Sequence, residues 1–340
     1  MGPRRHRQAA DGVSTRKPLF GLLGLIVVLV VVFGTLSPAF FDERLVLFPL
    51  LRDIAIYTVV GLAQMVVLSI GHMNLAVGRM AAFSAMFMGL SYDRLHLPLY
   101  AGLCIGLLAG AAIGAFTGWI IARTGVNSFV VTLAMDFALL GLIPVVYTAL
   151  TANAAFTVKP DGMRELRQYS LGDVCLGNVC GSPAVPQMML LAVAPMLALG
   201  YLYHGTRPGR ELLLTGSNPL AAELSGIPTR RRVVTAHLLS GLLAGLAGFM
   251  LAVATGSFRA TIGEEFLLPS FLGAILGGTA MAGGVVSVIG TFLGTSLTLV
   301  IRRGLELVGI GLEYLNVYLG VILLLALSAD RFLQRRGVKS

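Results

Sequence analysis

Charged residues are scarce in this chain, and lysine is almost missing from it. Of 340 residues only 12% are charged and 56% are hydrophobic, whereas an ordinary soluble domain carries about 25% charged residues. The three lysines are Lys17, Lys159 and Lys339, and none of them follows a glycine. Because a P-loop needs Gly-Lys followed by Ser or Thr to hold phosphates, we expect no ATPase site in this chain.

Cysteine and the motifs of membrane-embedded enzymes are also rare. Of three cysteines, Cys175 and Cys180 share one predicted loop, and no histidine accompanies them. A metal site is therefore not expected, and the pair is either a disulfide in an oxidising exterior or two free thiols. The sequence contains no HExxH, no Ser-His-Asp set and no cluster of intramembrane acids. We predict no enzyme and no cofactor bound by this chain.

Long hydrophobic runs are what the chain has in abundance, and its mean hydropathy is +0.85. A spanning helix needs about 20 predominantly apolar residues, because hydrocarbon cannot satisfy free backbone polar groups. The sequence predicts an all-α integral membrane protein with about ten transmembrane helices. The predicted spans are 19–36, 50–70, 74–92, 98–122, 126–150, 187–204, 232–256, 265–282, 285–301 and 312–329.

The distribution of basic residues predicts the orientation. Arginines and a lysine precede the first run, but no small-residue cleavage pattern follows it, so we interpret the run as an anchor rather than a signal peptide. Sixteen Lys and Arg fall on the side of the N-terminus and nine on the other, which places both termini in the cytoplasm. Arg302 and Arg303 fall on the minority side. The net charge of +9 therefore indicates membrane anchoring rather than nucleic-acid binding.

These spans divide the chain into one transmembrane domain and its tails. The domain covers 19–330, between cytoplasmic tails at 1–18 and 331–340. Within it, an external loop runs over 151–186 and a cytoplasmic loop over 204–232.

Glycine is placed in two different ways. On the fourth predicted helix it recurs every four residues, which makes a small-residue face for close helix packing, either inside the chain or between copies. The members of this face are Gly102, Gly106, Gly110, Gly114 and Gly118. Clusters at 71–78 and 277–284 instead interrupt hydrophobic segments, as broken helices beside a substrate path do, or as tight turns between spans do.

Polar residues inside the predicted spans, or in the short link between two of them, are candidates for a substrate path, because they are costly in a bilayer. They are Gln64, His72, Asn74 and Asp136, joined by Thr279 in the second glycine cluster. Neutral amides suit a hydroxyl-rich solute. For Asp136, a structural hydrogen bond to a neighbouring helix is the alternative.

The cytoplasmic loop carries signals of a short helix outside the membrane. Asn218 suits the N-cap and Pro219 the first helical position, while Gly226 and Pro228 end the helix. The predicted helix is two turns long. It is either a contact for a partner or a merely solvated loop.

Five segments together resemble the permease subunits of ribose-type bacterial sugar ABC importers. Residues 209–227 are similar to the family's GR…GxNxxAAxxSGI segment, which is the most specific signal. Residues 240–248 resemble SGLLAGLAG, 276–284 resemble IGGTSLxGG, and 131–135 resemble VTLGM. Residues 64–78 resemble a glutamine-containing helix followed by GGIDLSVG, except that Asn74 stands at the acidic position, so a charge is lost there.

The resemblance implies the fold and the partners of an importer in the bacterial cytoplasmic (inner) membrane. Two permeases, identical or related, would form the pathway for inward transport of a sugar or sugar-like solute. Two ATPase subunits would bind ATP and Mg inside, and a binding protein would deliver the solute outside. The loop helix would couple the ATPase to the pore through Asn218, Ala221, Ala222, Glu223, Ser225, Gly226 and Ile227.

Two other transporter classes stay open, and the sequence does not identify the solute. An ion-coupled secondary transporter would use Asp136 to carry the coupling ion. A branched-chain amino acid ABC permease would keep the same architecture with another solute.

Overall fold

The computed structural model describes residues 16–309 apart from 152–154, 158, 174, 177–178 and 181, together with the isolated residues 314, 317, 320 and 321. Within this part, helices form the body of the molecule and four two-residue strands lie in its connections. The helices are α1 Arg16–Leu36, α2 Phe48–Leu68, α3 Val77–Leu95, α4 Leu99–Thr124, α5 Ser128–Leu150, α6 Met163–Gln168, α7 Met188–Gly205, α8 Arg207–Ser217, α9 Pro219–Leu224, α10 Thr229–Thr255, α11 Leu267–Leu276 and α12 Val288–Leu307.

Seven of the described helices are long and apolar enough to cross a membrane, so the prediction of an all-α membrane protein is confirmed. They contain the spans Leu19–Leu36, Glu43–Leu68, Leu99–Thr124, Ser128–Leu150, Met188–Gly205, Thr229–Thr255 and Val288–Leu307. The helix α3 carries Arg79, Asp93 and Arg94, which lower its hydropathy. The helix α11 has only 10 residues. The predicted span 312–329 lies outside the described residues apart from four isolated positions.

Local sequence signals explain where several helices begin and end. The side chain of Asn127 accepts a hydrogen bond from the N–H of Phe129 at the start of α5, and Ser287 accepts from Gly290 at the start of α12. These caps satisfy backbone donors that a helix leaves free. Glycine marks the end of another helix: α4 stops at Gly125, which adopts the left-handed conformation with φ 69°.

The helices α2 and α10, which are mostly buried, form the centre of the molecule. The helix α2 packs against α7, α10, α11 and α12, and α10 packs against α3 and most extensively against α4. Small residues bring α4 and α10 together: a Cβ at Gly114 would overlap the carbonyl oxygen of His237, and one at Gly110 would lie 2.5 Å from the carbonyl oxygen of Gly241.

The five glycines predicted on one face of α4 divide between two neighbouring helices. Gly102 and Gly106 face Tyr92 and Met88 of α3. The other three face α10, at Gly241, His237 and Val234. Within the described residues, this face is therefore covered by helices of the same chain.

The connection between α10 and α11 runs back along α3 before α11 starts. Strand β4 (Phe258–Arg259) pairs antiparallel with β1 (Ala155–Phe156), and both phenylalanines abut Gly89 of α3. Further along, a Cβ at Gly78 would overlap the carbonyl oxygen of Gly263. Because Gly78 and Gly89 are eleven residues apart, the segment follows α3 for about 16 Å.

A second hairpin, β2 (Cys175–Leu176) with β3 (Val179–Cys180), lies in the long loop between α5 and α7. Its register makes Cys175 and Cys180 backbone partners. Their side chains lie outside the described residues, so the disulfide stays a prediction. Joined peptides in mass spectrometry of unreduced protein would establish it, and free alkylation of both thiols would contradict it. Cys104 on α4 is a free, exposed thiol.

Candidate functional site

The two predicted amides, Gln64 and Asn74, meet in a fully buried network. Asn74 lies in the turn between α2 and α3 and donates from Nδ2 to Ser240 Oγ on α10 at 3.0 Å, while its Oδ1 accepts from the N–H of Ala76 at 3.0 Å. With its amide oriented to satisfy both partners, Gln64 donates to the carbonyl of Asn74 at 3.0 Å and accepts from its N–H at 3.3 Å. In this conformation both amides fasten the turn to α2 and α10.

His72 of the same turn meets a second histidine that the sequence analysis missed. His72 Nδ1 lies 3.4 Å from Nε2 of His237 on α10. His72 is half-buried in this contact. His72 also lines a cavity of about 350 Å³, whose other walls include Ile70, Asn127, Thr215, Pro219 and Arg230. The only sequence signal for His237 was a histidine within an apolar span.

Thr279 lies in the turn after α11. It is buried, and its N–H donates to the carbonyl of Ala274 at 3.0 Å, which closes the end of the helix. Its hydroxyl has no hydrogen-bond partner among the described residues. The structure does not bring Thr279 into the amide network.

Asp136 is paired rather than isolated, and its partners define a charged cluster that we call the Arg79 cluster: Arg79 on α3, Asp136 on α5 and Glu264 just before α11. Arg79 Nε lies 3.9 Å from Asp136 Oδ1, and Arg79 Nη1 lies 3.1 Å from Glu264 Oε1. The sequence pattern singles out neither Arg79 nor Glu264 as a candidate site residue. Both acids reach Arg79 across long sequence separations, which no local pattern could reveal.

The two turns that follow α2 and α11 touch each other at a glycine junction. The N–H of Gly284 donates to the carbonyl of Ser69 at 2.9 Å, and a Cβ at Gly283 would lie 2.7 Å from the nitrogen of Gly71. Gly71, Gly283 and Gly284 all have positive φ, which only glycine adopts without strain. The two predicted glycine clusters are thus brought together.

The end of α8 completes this junction. A Cβ at Gly216 would overlap the carbonyl oxygen of Ser69 and lie 2.7 Å from the nitrogen of Gly284. We call Ser69–Gly71, Gly216 and Gly283–Gly284 together the glycine junction. The predicted cytoplasmic loop is therefore in direct backbone contact with both turns.

The short helix α9 follows the junction, with the caps that the sequence predicted. Asn218 Oδ1 accepts from the N–H of Ala221 at 3.0 Å, and Gly226 has φ 79°. Ala222 is buried, whereas Leu220 and Leu224 are 69% and 82% exposed. Ala221, Glu223 and Ser225 are also exposed, and Ile227 is half-buried. An ion pair of Arg232 Nε with Glu211 Oε2, at 2.7 Å, ties α8 to α10.

A larger cavity, of about 700 Å³, opens where the segment before α2 meets the loop between α5 and α7. Its lining includes Arg44, Phe48, Arg52, Arg167 and Tyr169. Asp173 also faces it, but its carboxylate accepts hydrogen bonds from the N–H and hydroxyl of Ser170. The cavity has the size and the mixture of aromatic and polar groups that small-molecule sites have.

Comparison with known proteins places this architecture among permeases. The family model described as "Branched-chain amino acid transport system / permease component" matches residues 46–327. The chain is 30% identical to the ribose import permease protein of Escherichia coli strain K12 over 93% of both chains. It is also 30% identical to an L-arabinose ABC transporter permease protein of Azospirillum brasilense, over 93% of this chain and 90% of that protein. With the fructose import permease protein of Rhizobium meliloti the identity is 27%, over 92% and 84%.

Proposed function

The chain belongs to the family of branched-chain amino acid transport system permease components, and on this premise we propose that it is the permease subunit of an ABC importer for a sugar or sugar-like solute. The observation that carries the proposal is the similarity to sugar permeases along almost the whole chain. The seven apolar helices fit a pore-forming subunit. The branched-chain amino acid alternative rests on the description of the family model alone, whereas the relatives named above are permeases for ribose, L-arabinose and fructose. The ion-coupled alternative rests on Asp136 alone.

The chain spans the membrane about ten times, with both termini in the cytoplasm. In this arrangement α3 is a span despite its charges, and the segment Ser257–Phe266 together with α11 forms a discontinuous span. The span 312–329 completes the set. This topology places the turns after α2, α4 and α11 and the loop after α7 on the same side of the membrane. The contacts of Gly216 with Ser69 and Gly284 support it, because they join that loop to two of these turns. The 700 Å³ cavity opens on the other side, where it would serve as an external vestibule.

The loop helix α9 and the preceding α8 transmit motion from an ATPase to the pore. The exposed leucines and Glu223 of α9 offer a contact surface, and Gly216 at the end of α8 touches the turns after α2 and α11. Energy comes from that separate ATPase subunit, which binds ATP and Mg. A second permease, identical or related, and an external binding protein complete the importer.

The amide network closes the inner end of the path in the present conformation. Gln64 and Asn74 use their hydrogen-bonding groups on each other and on Ser240, so no free amide faces a solute. We propose that His72 and Thr279, in the turns of the same end, join the path when the glycine junction opens. The opening then frees the amide groups for solute hydroxyls.

Reconstituted transport tests the function. Proteoliposomes would hold this chain with its cognate ATPase, with the binding protein outside and ATP inside, and would be offered D-ribose, L-arabinose, D-fructose or L-leucine. We expect uptake of at least one sugar, no uptake of leucine, and loss of uptake when the ATPase carries a catalytic substitution. Sugar uptake that continues without ATP hydrolysis and collapses with the proton gradient would instead establish the ion-coupled alternative.

A further inference from the structure

The Arg79 cluster lies deep in the membrane, at the level of Asp136 on the spanning helix α5. Asp136 is eight residues from the start of α5 and fourteen from its end, or about 12 Å and 21 Å along the helix axis. Ion pairing brings Arg79 and Glu264 to the same depth. The cluster therefore lies within the hydrocarbon thickness that α5 crosses.

The cluster is also partly open. The side chains of Arg79, Asp136 and Glu264 are 18%, 27% and 47% exposed. Charged groups at this depth cannot face lipid without a large cost, so an open one faces water or another protein. With one guanidinium and two carboxylates, the cluster is not neutral by itself, which further disfavours a lipid-facing surface.

The backbone around the cluster is built to bring these charges together. The mutual contact of Gly78 and Gly263 sets the segment before α11 directly on α3, and Gly263 has φ 80°. As a result, Glu264 reaches Arg79. The next residue, Glu265, pairs with a different helix: its Oε2 lies 3.9 Å from Nη1 of Arg302 on α12. Consecutive acids are thus held by arginines of two different spans.

We propose that the Arg79 cluster is a binding station for the hydroxyl groups of the transported solute, on a water-filled path inside the membrane. The guanidinium donates hydrogen bonds and both carboxylates accept them, which matches neighbouring hydroxyls of a polyol. The excess of acid disfavours an anionic solute. This inference rests on the proposed function, and it adds Arg79 and Glu264 to the solute path.

Cysteine accessibility tests the location of the station. The full-length chain in lipid nanodiscs would have its three native cysteines changed to serine and would carry one new cysteine, Glu264→Cys or Asp136→Cys. It would then react with charged methanethiosulfonate reagents. The matched control is Phe137→Cys, because Phe137 neighbours Asp136 and is 62% exposed on an apolar face. We expect modification at 264 and 136 at least about tenfold faster than at 137, because a thiol surrounded by hydrocarbon does not ionise.

Two further readouts test the chemistry of the station. Arg79→Gln should slow the anionic reagent at position 264 severalfold relative to the cationic one, a shift that a merely structural arginine would not cause. A sugar that the parent complex takes up should slow modification at 264, whereas L-leucine should not.

Three results would overturn the proposal. One is a rate of modification at position 264 equal to that at position 137. Another is a disulfide between the cysteines at position 264 of two copies, which would place the cluster at a contact between chains. The third is full reactivity in the presence of a sugar that the parent complex transports. If the parent complex takes up no sugar, the importer assignment fails instead, and the two failures are thereby distinguished.

Discussion

At the scale of single residues, Gly78 carries a constraint that comes from a distant part of the chain. It lies in the first turn of α3, and its neighbour is the backbone of Gly263 rather than a movable side chain. A backbone neighbour cannot rotate away, so any Cβ at position 78 must displace the segment that holds Glu264.

Gly78→Ala should therefore destabilise the protein by about 1–3 kcal/mol, the range of overpacked sites, and should also loosen the Arg79–Glu264 ion pair. Thermal unfolding followed by size-exclusion chromatography in detergent would measure the loss. The matched control is Gly141→Ala on α5, where nothing lies within 4 Å of the new Cβ. Equal melting temperatures for the two variants would contradict the close contact.

Asn74→Asp restores the acid that the resembled family has at this position, yet it should destabilise this protein. The amide donor to Ser240 is lost, and a carboxylate would be buried with no cation within the network, at a cost of about 1–3 kcal/mol or more. The control is Asn127→Asp at the exposed N-cap of α5, where the two residues cap equally well. Unchanged thermal stability of Asn74→Asp would show that the network tolerates an acid.

The sequence identified Gln64, Asn74 and Asp136 because a polar residue in an apolar run is conspicuous by itself. It could not identify their partners. Ser240 is an ordinary residue of a glycine-rich helix, and Arg79 looks like a basic residue at the margin of a span. Only the packing of α3 against α5 and the segment before α11 reveals the cluster, and that packing depends on contacts between distant residues.

At the scale of elements, α9 is the clearest success of local signals and α11 the clearest failure. The capping residues Asn218 and Gly226 predicted both ends of α9. For α11, hydropathy predicted a helix over 265–282, whereas the helix covers only Leu267–Leu276. The helix ends early because the glycine-rich turn after it folds back, with the N–H of Gly278 donating to the carbonyl of Ile275 and that of Thr279 to the carbonyl of Ala274. Hydropathy does not distinguish such an apolar turn from helix.

Gly226→Val should uncouple the proposed ATPase contact without harming the pore. The site has free space around it, but its φ of 79° is strained for a β-branched residue by about 1–2 kcal/mol. Gly226→Asn is the matched control, since asparagine tolerates this conformation. We expect the valine variant to reach the membrane and lose ATPase co-purification, and the asparagine variant to keep it. Equal co-purification would remove α9 from the coupling role.

At the scale of the whole molecule, the proposed topology is open to direct labelling. In a background with Cys104, Cys175 and Cys180 changed to serine, Ser217→Cys on the loop after α7 should react with an impermeant maleimide only after the cells are permeabilised. Gln168→Cys on the opposite loop should react in intact cells. Both positions are exposed, so silence of either one cannot be attributed to burial. The reverse pattern would invert the orientation.

The glycine junction has a mechanical consequence. Its contacts join backbone to backbone, so no side chain can change rotamer to absorb a displacement. A shift of the end of α8 towards the body of the protein must therefore displace Ser69 and Gly284 at the same time and by a similar distance. One small movement outside the membrane is thus transmitted to two helical hairpins, α2 with α3 and α11 with α12. Neither hairpin can open while the other stays in place.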